Sequence, residues 1–127
     1  MDTPEQFRAR LDFLEREYGF ELTSFQSTSS HMLNINAIYT RSDCRVEVER
    51  EGSRVHTHIA VGSEPARPID YFLERNGLDP LVHTQFNGDY DYFGSVTGLD
   101  IESQVISLRR ILPSIISMPR SDASQGI

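Results

Sequence analysis

The sequence has no lysine, no tryptophan and a single cysteine, Cys44, among its 127 residues. One cysteine cannot close an internal disulfide, and it cannot supply a cysteine-rich zinc site. The absence of lysine excludes a lysine Schiff base and the lysine of a phosphate-binding loop. No apolar run approaches the roughly 20 residues of a membrane-spanning helix. We therefore expect a cytoplasmic protein that does not attach to a membrane.

Acidic side chains outnumber basic ones by 19 to 12, which gives a formal net charge of −7 and an isoelectric point of about 5.0. Nonspecific binding of DNA or RNA depends on neutralising phosphates with basic side chains, so this charge disfavours a nucleic-acid partner. The same charge favours a basic protein as the partner, or it serves solubility alone.

The length of the chain indicates one domain. We predict that this domain covers residues 1–116 and that the serine-rich residues 117–127 form a flexible C-terminal tail. The apolar content of 38% is too high for a disordered chain.

Two segments show helical periodicity, one near each end of the chain. Thr3 can cap the first helix, Gln6 would complete a capping box, and Gly19 supplies a left-handed end. Asp100 or Thr97 can cap the last helix. The apolar stripes are Phe7, Leu11, Leu14 and Tyr18 in the first helix, and Ile101, Val105, Leu108, Leu112 and Ile115 in the last.

Between Phe20 and Gly62 the apolar residues alternate with polar ones, which predicts four antiparallel strands, each with one buried face. The clearest hairpin spans residues 44–62. We place its tight turn at Glu51-Gly52, because this register keeps the valines on the apolar face. The pairs predicted in that register are Val48 with Val55, Val46 with Thr57, Glu49 with Arg54, Glu47 with His56, and Arg45 with His58.

Proline and glycine residues define the ends and interruptions predicted for the remaining segments. A short helix is predicted from Pro68 to Gly77, and Pro68 also ends the predicted sheet. Glycine and proline breaks favour a loop for residues 78–98. Pro113 lies inside the last helical stripe, where it removes a backbone donor and clashes one turn back. We therefore expect a kink or a break at Leu112.

The resulting order is an N-terminal helix, an antiparallel four-stranded meander, a short helix and a long C-terminal helix. Helices that flank an antiparallel sheet define an α+β fold. We expect both long helices to pack on the apolar face of the sheet and to leave the other face in water.

The most unusual stretch is Asn87-Gly88-Asp89-Tyr90-Asp91-Tyr92-Phe93-Gly94. It resembles the start of a calcium loop, but Tyr92 and Gly98 stand where such a loop needs Gly and Glu. We predict Asp89, Tyr90, Asp91 and Tyr92 as partner-binding residues, with aromatic anchors ringed by negative charge. The alternative is that Tyr92 and Phe93 hold the loop on the core while the aspartates are solvated.

A second candidate surface is the polar face of the predicted hairpin. Glu47 and Glu49 lie two residues apart in one strand, so they share a face, and we predict that they contact the partner. His56 and His58 share that face too and have the spacing of a metal site, although a third ligand would be needed. The alternative is a solvated ladder of cross-strand pairs. We expect no metal, no cofactor and no catalytic residue.

The opening helix ends in Leu14-Glu15-Arg16-Glu17-Tyr18-Gly19-Phe20, and the last covers residues 101–112. The strands include Arg45-Val46-Glu47-Val48-Glu49-Arg50 and Val55-His56-Thr57-His58-Ile59-Ala60-Val61-Gly62. This layout resembles small acidic bacterial proteins that act as immunity partners of secreted toxins. The resemblance implies a cytoplasmic, non-enzymatic protein that binds and blocks a toxin domain. It carries over no functional residue, because such families share no fixed binding motif.

The size, the low isoelectric point and the order of elements are also similar to class I chaperones of type III secretion systems. That resemblance implies a homodimer that holds an extended segment of an effector protein. The sequence departs from this pattern because two clear strands are missing between the second and the last predicted helices, which puts the dimer surface in doubt.

Overall fold

The structure is a computed structural model that describes residues 3–28, 33–52, 54–78 and 100–125, with side chains described as far as Ile116. Helices flank a run of consecutive antiparallel strands, the order expected of an α+β fold, which confirms the predicted class. The elements are α1 Pro4–Arg10, α2 Phe13–Arg16, β1 Glu21–Thr28, β2 Asn34–Arg41, β3 Cys44–Glu51, β4 Arg54–Val61, β5 Arg67–Pro68, α3 Ile69–Arg75 and α4 Ile101–Gln125.

The strands form one antiparallel sheet in the order β1-β2-β3-β4-β5. The first four strands confirm the predicted meander. The short strand β5 was not predicted, since Pro68 was expected to end the sheet. Pro68 instead stands opposite His58, and Arg67 stands opposite Ile59. A proline without an N–H is tolerated in such an edge strand, where one side needs no partner.

The N-terminal helix begins as predicted but is interrupted. Thr3 caps α1, its hydroxyl accepting from the Gln6 amide at 3.1 Å while the Gln6 side chain accepts from the Thr3 amide at 2.9 Å. Around Leu11 the backbone amides donate to carbonyls three residues earlier instead of four. This tighter turn divides the predicted single helix into α1 and α2. Gly19 then adopts the expected left-handed conformation, with φ of 72°.

The β3–β4 hairpin has the predicted faces but not the predicted register. Glu51 pairs with Arg54, so it belongs to the strand and not to the turn, and Gly52 has a φ of 63° that suits a tight hairpin. Moving the turn by one residue shifts every pair by two, so each side chain keeps its face. The predicted pairs Val48–Val55, Val46–Thr57, Glu49–Arg54, Glu47–His56 and Arg45–His58 are therefore wrong. The observed pairs are Val48–Thr57, Val46–Ile59, Glu51–Arg54, Glu49–His56, Glu47–His58 and Arg45–Ala60.

The short helix α3 confirms the prediction for that segment. It begins after Pro68 and ends at a left-handed Gly77, with φ of 74°. The Leu78 amide donates to the Leu73 carbonyl at 2.8 Å and the Gly77 amide to the Glu74 carbonyl at 3.1 Å, which is the Schellman pattern. Beyond Leu78, the loop predicted for residues 78–98 lies outside the described residues.

The last helix runs through its proline. The Asp100 carboxylate accepts from the Ser103 amide at 2.9 Å, as expected for the cap, and α4 continues past Pro113 to Gln125. The predicted break at Leu112 is therefore wrong. The buried side chains of Ile111, Leu112 and Ile115 hold both sides of the proline against the core and offset the lost hydrogen bond. The flexibility predicted for residues 117–127 stays a prediction.

The core lies between one face of the sheet and the helices. Alternate side chains of β2, β3 and β4 are buried on that face, while most of their neighbours in sequence point the other way and stay accessible. Its main members are Ile35, Ala37, Tyr39, Val46, Val48, Val55 and Ile59 of the sheet, and Phe7, Leu11, Phe13, Leu14, Ile69, Leu73, Leu108, Ile111, Leu112 and Ile115 of the helical segments. Within the described ranges, no helix combines the length and the apolar character needed to cross a membrane.

Replacing the cap of α4 should destabilise the domain. We expect Asp100→Ala to lower the free energy of unfolding at pH 7 by about 1 kcal/mol, the typical worth of an N-cap side chain. Hydrogen bonds from Ser103 hold the pKa of Asp100 below its ordinary value. The stabilisation that the ionised Asp100 gives is therefore complete at neutral pH, and it is lost as the pH falls through the lowered pKa of this carboxyl group.

Chemical denaturation of three proteins checks this expectation. Asp100→Asn keeps a capping oxygen, so it should retain most of the free energy of unfolding at pH 7. Its cap has no carboxylate to protonate, so the contribution of the cap should not fall at acid pH. Equal stability of the wild-type and Asp100→Ala proteins at pH 7 would show that the cap does not hold α4 on the sheet.

Candidate functional site

The face of the sheet that points away from the helices is a polar surface. Its side chains are half-buried or exposed, apart from the small Ala60. We call this surface the open face. On the three inner strands it consists of Asn34, Asn36, Ile38 and Thr40 of β2, Arg45, Glu47, Glu49 and Glu51 of β3, and Arg54, His56, His58 and Ala60 of β4.

Three glutamates stand in a line at the centre of the open face. Glu47, Glu49 and Glu51 alternate along β3, which has two strands on either side in the sheet. Neighbouring glutamates in this line are roughly 7 Å apart, the repeat of two residues in a strand. Glu49 and Glu51 are exposed, and Glu47 retains 30% of its side-chain accessibility. The structure thus brings the predicted Glu47 and Glu49 together and adds Glu51.

Positive charge compensates this line unevenly. The Arg45 Nε lies 3.0 Å from a carboxylate oxygen of Glu47, and Glu51 stands opposite Arg54. Glu49, at the middle of the line, stands opposite His56 on one side and Asn36 on the other. Both cross-strand neighbours of Glu49 are therefore side chains without a permanent charge.

The protonation state of His56 decides how much charge Glu49 meets. Burial of the imidazole lowers the pKa of His56 below its ordinary value of 6.5, and this effect outweighs the glutamates Glu51 and Glu49, which act to raise it. His56 is therefore neutral at pH 7. The carboxylate of Glu49 consequently keeps its negative charge uncompensated by its cross-strand neighbours.

The structure confirms that the two histidines share a face, but it adds no third metal ligand among the described residues. His56 and His58 point to the same face, opposite Glu49 and Glu47 respectively. Among the residues with described positions, no group of three or more His, Cys, Asp and Glu side chains is placed to hold a metal ion. The other two histidines, His31 and His83, lie outside the described residues.

The acidic and aromatic loop stays a prediction. Asp89, Tyr90, Asp91 and Tyr92 lie outside the described residues, so the structure neither joins them to the open face nor separates them from it. Of the predicted partner-binding residues, Glu47 and Glu49 are those that the structure places.

A cleft on the helix side of the sheet is a second site, and it was not anticipated from the sequence. It has a volume of about 410 Å³ and lies between the end of β4, β5, α3 and α4. Arg67, Tyr71 and Arg75 form one wall of it. Tyr71 and Arg75 are four residues apart in α3, and such positions meet on one helix face, whereas Arg67 lies in β5. That spacing was the signal available in the sequence.

No protein-family model, curated protein or solved structure matches this chain. Its function is therefore inferred from the charge, exposure and shape of the open face and of the cleft.

The half-buried His56 should make stability depend on pH. In the unfolded chain His56 takes a proton near its ordinary pKa, whereas the folded protein resists this proton until a lower pH. The free energy of unfolding should therefore fall as the pH drops from 7 toward 5, and His56→Gln should reduce that slope.

Urea denaturation at several pH values measures the slope. Asn36→Ser is the matched control, because it changes the same row of the open face without removing an ionisable group. The slope of the control should equal that of the wild type. A His56→Gln protein with the full wild-type slope would contradict the assignment of this pH dependence to His56.

Proposed function

We propose that this protein is a non-enzymatic, immunity-like protein-binding module that occludes a basic partner protein with the open face of its sheet. The observation that carries the proposal is the line of Glu47, Glu49 and Glu51 at the centre of a sheet face that none of the described helices covers. An antiparallel sheet with one wet face presents rigid, regularly spaced side chains, which suits the recognition of a matching surface.

Charge contributes to this function mainly through the rate of association. The net charge of −7 attracts a basic partner at long range, within the limit of about 8 Å that physiological salt imposes on the field. At short range, the uncompensated Glu49 offers a carboxylate to an arginine or lysine of the partner. Complementary charges of this kind raise association rates and reject acidic competitors.

The size of the open face indicates that other residues complete the contact. Four strands of eight residues span roughly 27 Å by 19 Å, or about 500 Å², at standard strand dimensions. A stable interface buries about 800 Å² on each partner. The open face also lacks aromatic anchors among its described residues. The predicted loop residues Tyr90 and Tyr92 are the candidates to supply the missing area and anchors.

The chaperone-like homodimer is the second candidate function, and one observation favours it. Strand β1 is an edge strand of eight residues, and residues 22–28 contain neither a charge nor a proline. Edges of this length are usually protected by charge or proline, and unprotected ones pair with other strands. A light-scattering mass near the 14.5 kDa of one chain at micromolar concentration would exclude a stable homodimer.

The triple variant Glu47→Gln, Glu49→Gln, Glu51→Gln tests the proposal. We expect the wild-type protein, used as bait in a lysate of its host, to retain one basic protein that high salt releases. The association rate of that purified partner should fall about tenfold with the triple variant at low salt, and its salt dependence should flatten.

The matched control removes the same charge elsewhere. Glu5→Gln, Glu64→Gln, Glu74→Gln changes three exposed glutamates that lie outside the open face. At the same low salt, this control should associate within about twofold of the wild-type rate, because its charges lie farther from the docked partner and attract it less than charges on the open face. Equal slowing by both triple variants would show that net charge acts without the open face. Unchanged association of the open-face variant would contradict the proposal.

A further inference from the structure

The cleft on the helix side of the sheet combines an apolar floor with a basic wall. Val61, Phe72 and Ile115 contribute apolar surface, and Arg67 and Arg75 contribute the charge. Its volume of about 410 Å³ lies in the range of sites that hold small organic molecules. We call it the arginine cleft. It lies on the opposite side of the sheet from the open face, because Arg67 stands opposite the core residue Ile59.

One tyrosine positions both guanidinium groups of the arginine cleft. The Arg67 guanidinium carbon lies 4.5 Å from the centroid of the Tyr71 ring, and that of Arg75 lies 5.2 Å from it. The Tyr71 ring meets the Phe72 ring edge to face, with centroids 5.2 Å apart. The aromatic pair thus holds two long, flexible side chains beside one cavity, which lowers the entropy lost when they bind a ligand.

These two arginines have no carboxylate partner among the described residues. Four other arginines form ion pairs with carboxylates, namely Arg10 with Glu102, Arg16 with Asp12, Arg45 with Glu47, and Arg109 with Glu17. Arg67 and Arg75 have ring contacts with Tyr71 and no ion pair with any described residue. Two cations beside one ring repel each other, and a bound anion would relieve that repulsion.

The charge balance of the cleft selects the charge of the ligand. Glu64 is the single carboxylate among the lining residues, so two guanidinium groups and one carboxylate leave a net charge of about one unit. The carbonyls of Phe72, Leu73 and Glu74 at the end of α3 already accept hydrogen bonds, so they add little negative potential to the cleft. Their donors are the Asn76 side chain, the Leu78 amide and the Gly77 amide, respectively. A monoanion matches this balance better than a dianion.

We infer that the arginine cleft binds a small organic carboxylate with an apolar or aromatic body. A guanidinium group matches the two oxygens of a carboxylate with two parallel hydrogen bonds, and its flat surface leaves room for stacking. The body of the ligand lies on Val61, Phe72 and Ile115. The carboxylate comes from a free small molecule or from the C-terminus of a peptide, and both present the same chemistry. This binding goes beyond the protein-binding function of the open face and does not depend on it.

A titration followed by two-dimensional ¹H–¹⁵N NMR tests the inference directly. The probe is 3-phenylpropionate, and its neutral amide, 3-phenylpropanamide, is the matched ligand without charge. We expect the acid to bind with a dissociation constant on the order of a millimolar and to shift the amide signals of Tyr71, Asn76 and Ser114. The amide should bind at least about tenfold more weakly, because it forms no charge-assisted bonds.

Two variants assign the affinity to the arginines. Arg67→Gln with Arg75→Gln should remove the preference for the acid over the amide, and both arginines lie at the surface, so the fold should survive. Arg110→Gln is the control, since Arg110 is exposed on α4 and does not line the cleft. The control should retain the wild-type affinity within about twofold.

A second pair of probes distinguishes the source of the carboxylate. The peptide Gly-Gly-Phe with a free C-terminus is compared with its C-terminal amide. Tighter binding of the free peptide than of 3-phenylpropionate supports the site and assigns it to a chain end, and tighter binding of 3-phenylpropionate supports the site and assigns it to a small molecule. Failure of both acids to bind saturably, or equal binding of acids and amides, would overturn the inference. Inorganic phosphate binding more tightly than either acid would overturn it too.

Discussion

Apolar and polar residues alternate in the three inner strands, which places nearly all of their large apolar side chains on one face of the sheet. This face is stable only when other elements shield it from water. Leu108, Ile111, Leu112 and Ile115 of α4 supply much of that cover, together with the shorter helices. Because the cover is one-sided, the opposite face is left with polar and charged side chains. The open face and the arginine cleft are both consequences: one is the uncovered side of the sheet, and the other lies where β5, α3 and α4 meet at its end.

The sequence predicts much of the fold because its local signals agree with the packing. Thr3 marks a helix start through its capping hydroxyl, Gly19 and Gly77 mark helix ends through positive φ angles, and the alternation of apolar and polar residues marks the four long strands. The errors arise where tertiary packing overrides a local rule. Pro113 was expected to kink or break the last helix, and buried neighbours keep that helix continuous. The hairpin turn was placed one residue early, because alternation fixes faces but tolerates a shift of two in the pairing.

The candidate sites were predictable to different degrees for the same physical reason. Glu47 and Glu49 share a face by strand periodicity alone, so the sequence was sufficient for them, but the neutrality of His56 depends on burial that only the packed sheet reveals. The arginine cleft depends on β5, a strand of two residues with no sequence signature, which brings Arg67 beside Tyr71. The packing of α4 against β5 and α3 that closes the cleft is a long-range arrangement, for which the sequence has no local pattern.

The central claim is that the open face contacts the partner while the helix side does not. Carboxyl footprinting of the complex with the captured partner, by carbodiimide coupling read out by mass spectrometry, tests this claim most directly. Labelling of Glu49 and Glu51 should fall strongly on complex formation, whereas labelling of the exposed Glu5 and Glu64 should stay as in the free protein. Protection of Glu5 or Glu64 with unchanged labelling of Glu49 and Glu51 would place the partner elsewhere and contradict the account.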